Sequence, residues 1–196
     1  MKNKILIPIF ISFLTFTGTV QAFLDQKTIT LGQPVEDFEL TDTAGNPFKL
    51  SEHRGKIVVF HFWSAQCPFV VRYEERLQNL TKDFSDKGVE VLGIASNKTE
   101  SADKIKTVAE ERRVNYPILL DPDQSIANKF GAITTPHVFI VDKEGHLVYE
   151  GSVDDQGWKD DNPITKSYAR DAVEALLSGS PVPVSHTSTF GCSVKR

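Results

Sequence analysis

The chain has 196 residues, enough for one domain with a filled core and short of the length two would need. With 40% apolar and 24% charged residues it lacks the compositional bias of a disordered chain. Its 22 basic and 26 acidic residues give a net charge of −4, with no clustered Lys/Arg stripe, which argues against a nucleic-acid partner.

Residues 1–22 differ from the rest. Lys2 and Lys4 precede an apolar run from Ile5 to Phe16, and Val20-Gln21-Ala22 forms a small-x-small ending. This is the pattern of a secretory signal peptide cut after Ala22; the run is too short for the ~20 residues of a bilayer span. An uncleaved N-terminal anchor is the alternative. Export to the periplasm or medium is therefore expected. Cleavage leaves 20 basic against 26 acidic residues, and a mature protein with no stable membrane embedding. Residues 23–179 are expected to form one domain and 180–196 a tail.

Phe38 and Leu40, then Phe48 and Leu50, alternate with polar residues around Ala44-Gly45-Asn46-Pro47, the pattern of a β-hairpin. Lys56 to Trp63 is a continuous apolar run, as in a strand buried on both faces. From Pro68 the apolar period becomes helical through Phe84, and Gly88 ends it. Val89 to Ala95 reads as a second buried strand, which completes a β-α-β unit with parallel strands. Ser101 to Val114 reads as a helix, Pro117 to Leu120 as a strand and Gln124 to Phe130 as a short helix. His137 to Val141 and His146 to Val153 form a hairpin, and Thr165 to Leu177 a last helix. The tail has no period of either kind. The order predicts an α/β fold, a central mixed β-sheet flanked by helices, with an N-terminal β-hairpin extension and an irregular C-terminal tail.

The chain has two cysteines, Cys67 and Cys192. Cys67 stands where a buried strand hands over to a helix opened by Pro68. There the unpaired N–H groups and the positive end of the helix dipole favour thiolate over thiol. His61, on the preceding strand, is a candidate general base, with a core histidine as the alternative.

The segment His61-Phe62-Trp63-Ser64-Ala65-Gln66-Cys67-Pro68-Phe69-Val70, with Thr134-Thr135-Pro136 before a later strand, resembles the active-site segment and cis-proline motif of the thioredoxin-fold superfamily. The likeness covers roughly residues 33–178. Tyr73-Glu74-Glu75-Arg76-Leu77 and the ending around Gly191-Cys192 are similar to the peroxiredoxin-like group of redoxin-domain (alkyl hydroperoxide reductase/thiol-specific antioxidant-like) proteins. The resemblance implies a thioredoxin-like fold with Cys67 as nucleophile. It also implies that Thr135, Pro136 and Trp63 bind the partner chain.

The departures from the pattern shape the expectation. Val70 stands where the second cysteine of Cys-x-x-Cys belongs, so an intermediate on Cys67 is expected to be resolved by Cys192 or by an external thiol. Phe60 stands where the peroxidase motif places a proline. The Cys-x-x-x-Cys of copper-delivering relatives is absent, and no metal or cofactor is expected. Three activities fit. The first is thiol–disulfide exchange with protein or small-molecule thiols and disulfides, the second peroxide reduction, and the third a non-catalytic binding module.

Overall fold

The computed structural model describes residues 27 and 29–196; the expected signal peptide lies outside them. A seven-stranded mixed sheet runs through the molecule. Its strands are β1 (Glu39–Asp42), β2 (Pro47–Lys49), β3 (Ile57–Trp63), β4 (Val89–Ala95), β5 (Ile118–Leu120), β7 (Val138–Val141) and β8 (Leu147–Gly151), in the order β2-β1-β5-β4-β3-β7-β8. β3, β4 and β5 are parallel, whereas β7, β8 and the β1–β2 hairpin pair antiparallel. Two further short strands, β6 (Thr134–Thr135) and β9 (Cys192–Ser193), pair outside this sheet.

The period of each segment explains its layer. All seven residues of β3 are buried, so the strand has a core on either side. Ile57, Val59 and Trp63 face α1 (Pro68–Phe84) and α4 (Tyr168–Leu177). Ile105 of α2 (Ala102–Glu111) joins that core. Val58, Phe60 and Phe62 face α3 (Ser125–Phe130) and the segment leading into β1. Helix α1 buries Val70, Tyr73, Leu77, Leu80 and Phe84, the stripe read from the sequence. Pro68 opens it, and Gly88 at φ 81° ends the short 3-10 turn that follows. Among the described residues no helix is long and apolar enough to cross a membrane.

The tail departs from its irregular expectation at a bridge between His186 and Glu150 and again at β9. A two-residue strand has no readable period, yet Cys192 and Ser193 pair antiparallel with Thr135 and Thr134. The tail reaches them along β8, where Glu150 N–H donates to Ser185 O and Thr187 N–H to Glu150 O.

Candidate active site

Buried β3 delivers the chain to the head of α1 through the loop Ser64-Ala65-Gln66. The Glu100 carboxylate holds this loop. It accepts from Ser64 Oγ at 2.6 Å, from Ala65 N–H at 3.0 Å and from Gln66 N–H at 3.1 Å. Arg112 donates to Ala65 O at 2.7 Å from the other side. Cys67 is the N-cap residue of α1, with extended backbone at φ −82° and ψ 117°. Its Sγ donates to Thr135 O at 3.0 Å, immediately before the Thr135–Pro136 peptide, which is cis.

Strand β9 brings the second thiol to this point. The Cys67 and Cys192 thiols lie close together and line the same cleft, and both are free. Burial pushes the Cys67 thiol up, but hydrogen bonds outweigh it and hold the group below the ordinary cysteine value. They come first from the Cys192 thiol, then from Thr135 and the N–H groups of Cys192 and Val70. The sequence assigned this depression to the helix N-terminus; the neighbouring thiol is the larger influence. Cys192 is pushed up to about 11, by its own burial and then by Cys67. The two thiols are thus shifted in opposite directions, Cys67 down and Cys192 up.

The remaining sequence candidates fall into two groups. Thr135 and Pro136 lie at the thiols and are buried, with Thr135 Oγ donating to Cys192 O at 3.4 Å. Trp63 and His61 make no hydrogen bond to them. Trp63 is fully buried, with the Arg112 guanidinium 5.8 Å from its ring centroid. His61 is fully buried and edge-on to Tyr116, and neither of its ring nitrogens has a hydrogen-bond partner. Burial pushes its pKa down to about 3, so it is neutral at pH 7.

Sequence reading missed Glu100 and Arg112, which hold the loop from far along the chain. It also missed the aromatic wall beside the thiols. Phe69 packs edge-on to Trp158 at 5.4 Å, and Trp158 to Phe190 at 5.7 Å. Arg72 of α1 fixes that wall by donating to Gly157 O and Trp158 O and pairing with Asp160. The segment Phe190-Gly191-Cys192 was expected to bring its thiol to Cys67, but the packing of Phe190 on Trp158 was not visible.

A mixed sheet with a cysteine at a helix head and a cis-proline against it defines a thioredoxin-like protein with a thiol site. The chain belongs to the AhpC/TSA family, whose pattern matches residues 31–150. Among solved structures it is similar to an uncharacterized conserved protein from Geobacillus kaustophilus. The two are 34% identical with a TM-score of 0.79, over 86% of this chain and 93% of that one. A hypothetical protein from Sinorhizobium meliloti 1021 matches at 34% identity and a TM-score of 0.78, over 86% and 96%. The thiol-disulfide oxidoreductase ResA of Bacillus thuringiensis is 25% identical over 76% of this chain and 88% of that protein. ResA of Bacillus subtilis is 28% identical over 71% and 77%.

Proposed function

We propose that the chain is an exported thiol–disulfide oxidoreductase in which Cys67 is the nucleophile and Cys192 the resolving thiol. The observation that carries this is the proximity of two free thiols, one held low and one held high, at the head of α1. The Cys67 thiolate attacks one sulfur of a disulfide. A Cys67–S–S–R bond forms, the R–S–S–R bond breaks and one RS⁻ leaves. Cys67 has then lost its charge, so its influence in raising the Cys192 pKa is gone and the Cys192 proton is more easily released to solvent. Cys192 attacks Cys67 Sγ, expelling the second RS⁻ and leaving a Cys67–Cys192 disulfide for an external thiol to reduce. Similarity to the ResA proteins supports this class of reaction.

Thr135 and Pro136 are the docking edge in this scheme, and His61 and Trp63 are assigned to packing beneath the loop. Residues 1–22 supply export, with the mature chain beginning at Phe23.

The test uses the mature full-length chain with wild type, Cys67→Ser and Cys192→Ser, following disulfide reduction and peroxide consumption side by side. Wild type turns over disulfide, Cys67→Ser is inactive, and Cys192→Ser accumulates a mixed disulfide on Cys67. Full activity in Cys67→Ser refutes the scheme. Peroxide consumption without disulfide exchange assigns the thiolate to the alternative activity.

A further inference from the structure

Thiol exchange at Cys67 requires the substrate sulfur to come alongside Sγ. An extended polypeptide would secure this by pairing its backbone with the strand edge next to the thiol, the usual way a peptide adds to a sheet. That edge is Thr134–Thr135, and the chain's own residues fill it. Thr134 pairs with Ser193 and Thr135 with Cys192, and Val194 N–H donates to Ile133 O at 3.1 Å.

The sequence is built for this contact at two glycines. Gly191 sits at φ +155°, and a Cβ there would lie 2.2 Å from Thr135 O and 2.8 Å from its carbonyl carbon. Gly151 sits at φ +151°, and a Cβ there would lie 2.1 Å from Thr187 Oγ1 and 2.9 Å from the Thr187 N and O atoms. Each is a close passage of the tail against the body that no other residue permits without a shift.

Beyond Cys192 the tail is held again. Val194 is buried, and Lys195 N–H donates to Asn97 Oδ1 at 2.8 Å. Lys195 O accepts from Lys98 N–H at 3.0 Å and from Gln124 Nε2 at 2.8 Å. Arg196 donates to Ala132 O at 3.1 Å.

What stays open beside the thiols is a cleft of about 140 Å³, bounded by Gln66, Asn97, Glu100 and Lys195 together with Cys67 and Cys192. That is well below the ~300–1,000 Å³ of a typical drug-sized site, and its lining mixes apolar surface with the polar side chains of Gln66, Asn97, Glu100 and Lys195. A polypeptide disulfide is bulkier than this opening, whereas a disulfide carrying only a few heavy atoms on either side matches it in size.

Resting on the exchange reaction proposed above, we infer that the tail-docked protein acts on low-molecular-mass polar disulfides and excludes polypeptide disulfides with its own residues 191–194. The reaction is the balanced exchange already written, with R a small polar group and an external thiol as the reductant.

The experiment compares hydroxyethyl disulfide with insulin as oxidised substrates, in excess dithiothreitol, for the full mature chain. Two variants, Gly191→Ala and Val194→Asp, keep both cysteines while opposing docking. Hydrogen exchange at the N–H of residue 194 reports release. Wild type is expected to reduce hydroxyethyl disulfide at least about tenfold faster than insulin. In the variants residue 194 loses protection, and the insulin-to-hydroxyethyl-disulfide rate ratio rises by about tenfold or more, because a once rare open state becomes populated.

Equal rates on the two substrates in wild type overturn the inference. So does an unchanged ratio in variants that have lost protection. Retained protection in both variants also overturns it, since docking would then not depend on the contacts described. If no disulfide reacts with any form while Cys67 is still alkylated, the exchange reaction itself falls, and this inference with it.

Discussion

Closing the Cys67–Cys192 bond joins the head of α1 to a strand near the end of the chain, and the consequence for stability follows from loop entropy. The cross-link would enclose about 125 residues of unfolded chain, which on the chain-entropy relation removes about 16 cal/mol/K, or about 5 kcal/mol at 25 °C. The folded state adds little opposing cost. The thiols already lie close together, and β9 is already paired with β6. Cross-links commonly deliver about 2–4 kcal/mol, so ~5 is the upper figure. For a domain of this size each kcal/mol moves Tm by roughly 2–4 °C, so oxidation should raise Tm by about 5–15 °C. Calorimetry of the mature protein, oxidised with one equivalent of oxidant or held reduced, measures the difference. Peptide mapping without reductant confirms which bond has formed, and Cys192→Ser should show no difference. A mapped Cys67–Cys192 bond with unchanged Tm refutes the entropy argument. If both thiols remain alkylable after oxidation, the resolving role fails instead.

Three further outcomes follow from the site and its surroundings. The pH midpoint of Cys67 alkylation should lie below that of a free cysteine and move up in Cys192→Ala, because the Cys192 thiol is the largest of the influences lowering it; an unmoved midpoint assigns the depression elsewhere. His61 and His137 are both buried and pushed down to about 3, so the unfolded chain binds more protons below pH 6.5 and stability falls as pH falls. The two together predict a loss of about 4 kcal/mol between pH 8 and pH 5 in urea unfolding, roughly halved in His61→Asn, and a flat profile would contradict their burial as neutral rings. Glu74 and Asp154, raised by burial, act in the opposite direction, adding stability as pH falls. Glu100→Gln replaces the charged acceptor of Ser64, Ala65 and Gln66, so it should cost about 1.5–3 kcal/mol and slow Cys67 alkylation; unchanged stability and rate would show that the loop does not depend on it.

The parts of the fold that the sequence displayed are those with a period. β3 and β4 read as largely apolar runs, interrupted by His61 and Glu90, because both faces are covered, and α1 as a stripe because one face is. The pairing of β9 with β6 carries no such signal. Each strand is two residues long, and they lie 57 positions apart, so only the folded chain brings them together. Glu100 and Arg112 were hidden for the same reason. Nothing near either residue marks it as a partner of Ala65, from which they are 35 and 47 positions away. Trp63 and His61 show how adjacency in sequence misleads on a strand. They lie close before Cys67, yet side-chain alternation turns both into the core under α1 with Ile57 and Val59, where they are buried and make no hydrogen bond to the thiol. The depressed Cys67 thiol was anticipated for a local reason, whereas its larger cause is a residue at the far end of the chain.

The replacement of a local cysteine by Val70 changes more than the source of the second thiol. Val70 is fully buried in the core, and its N–H is among the groups that stabilise the Cys67 thiolate. A resolving thiol fixed in α1 would stay beside the nucleophile whatever occupied the docking edge. Here the second thiol lies on the strand that fills that edge, so three properties depend on one equilibrium. With the tail docked, Cys67 has its pKa lowered, has a thiol in reach to resolve it and is buried beside the small cleft. With the tail released it loses the Cys192 hydrogen bond, so its pKa rises and its thiolate fraction falls, just as the edge opens to a longer chain. On the proposed mechanism, selectivity and reactivity are therefore linked. A substitution that opens the groove also lowers the thiolate population that would use it, and the gain in polypeptide turnover from tail release is smaller than the gain in access alone.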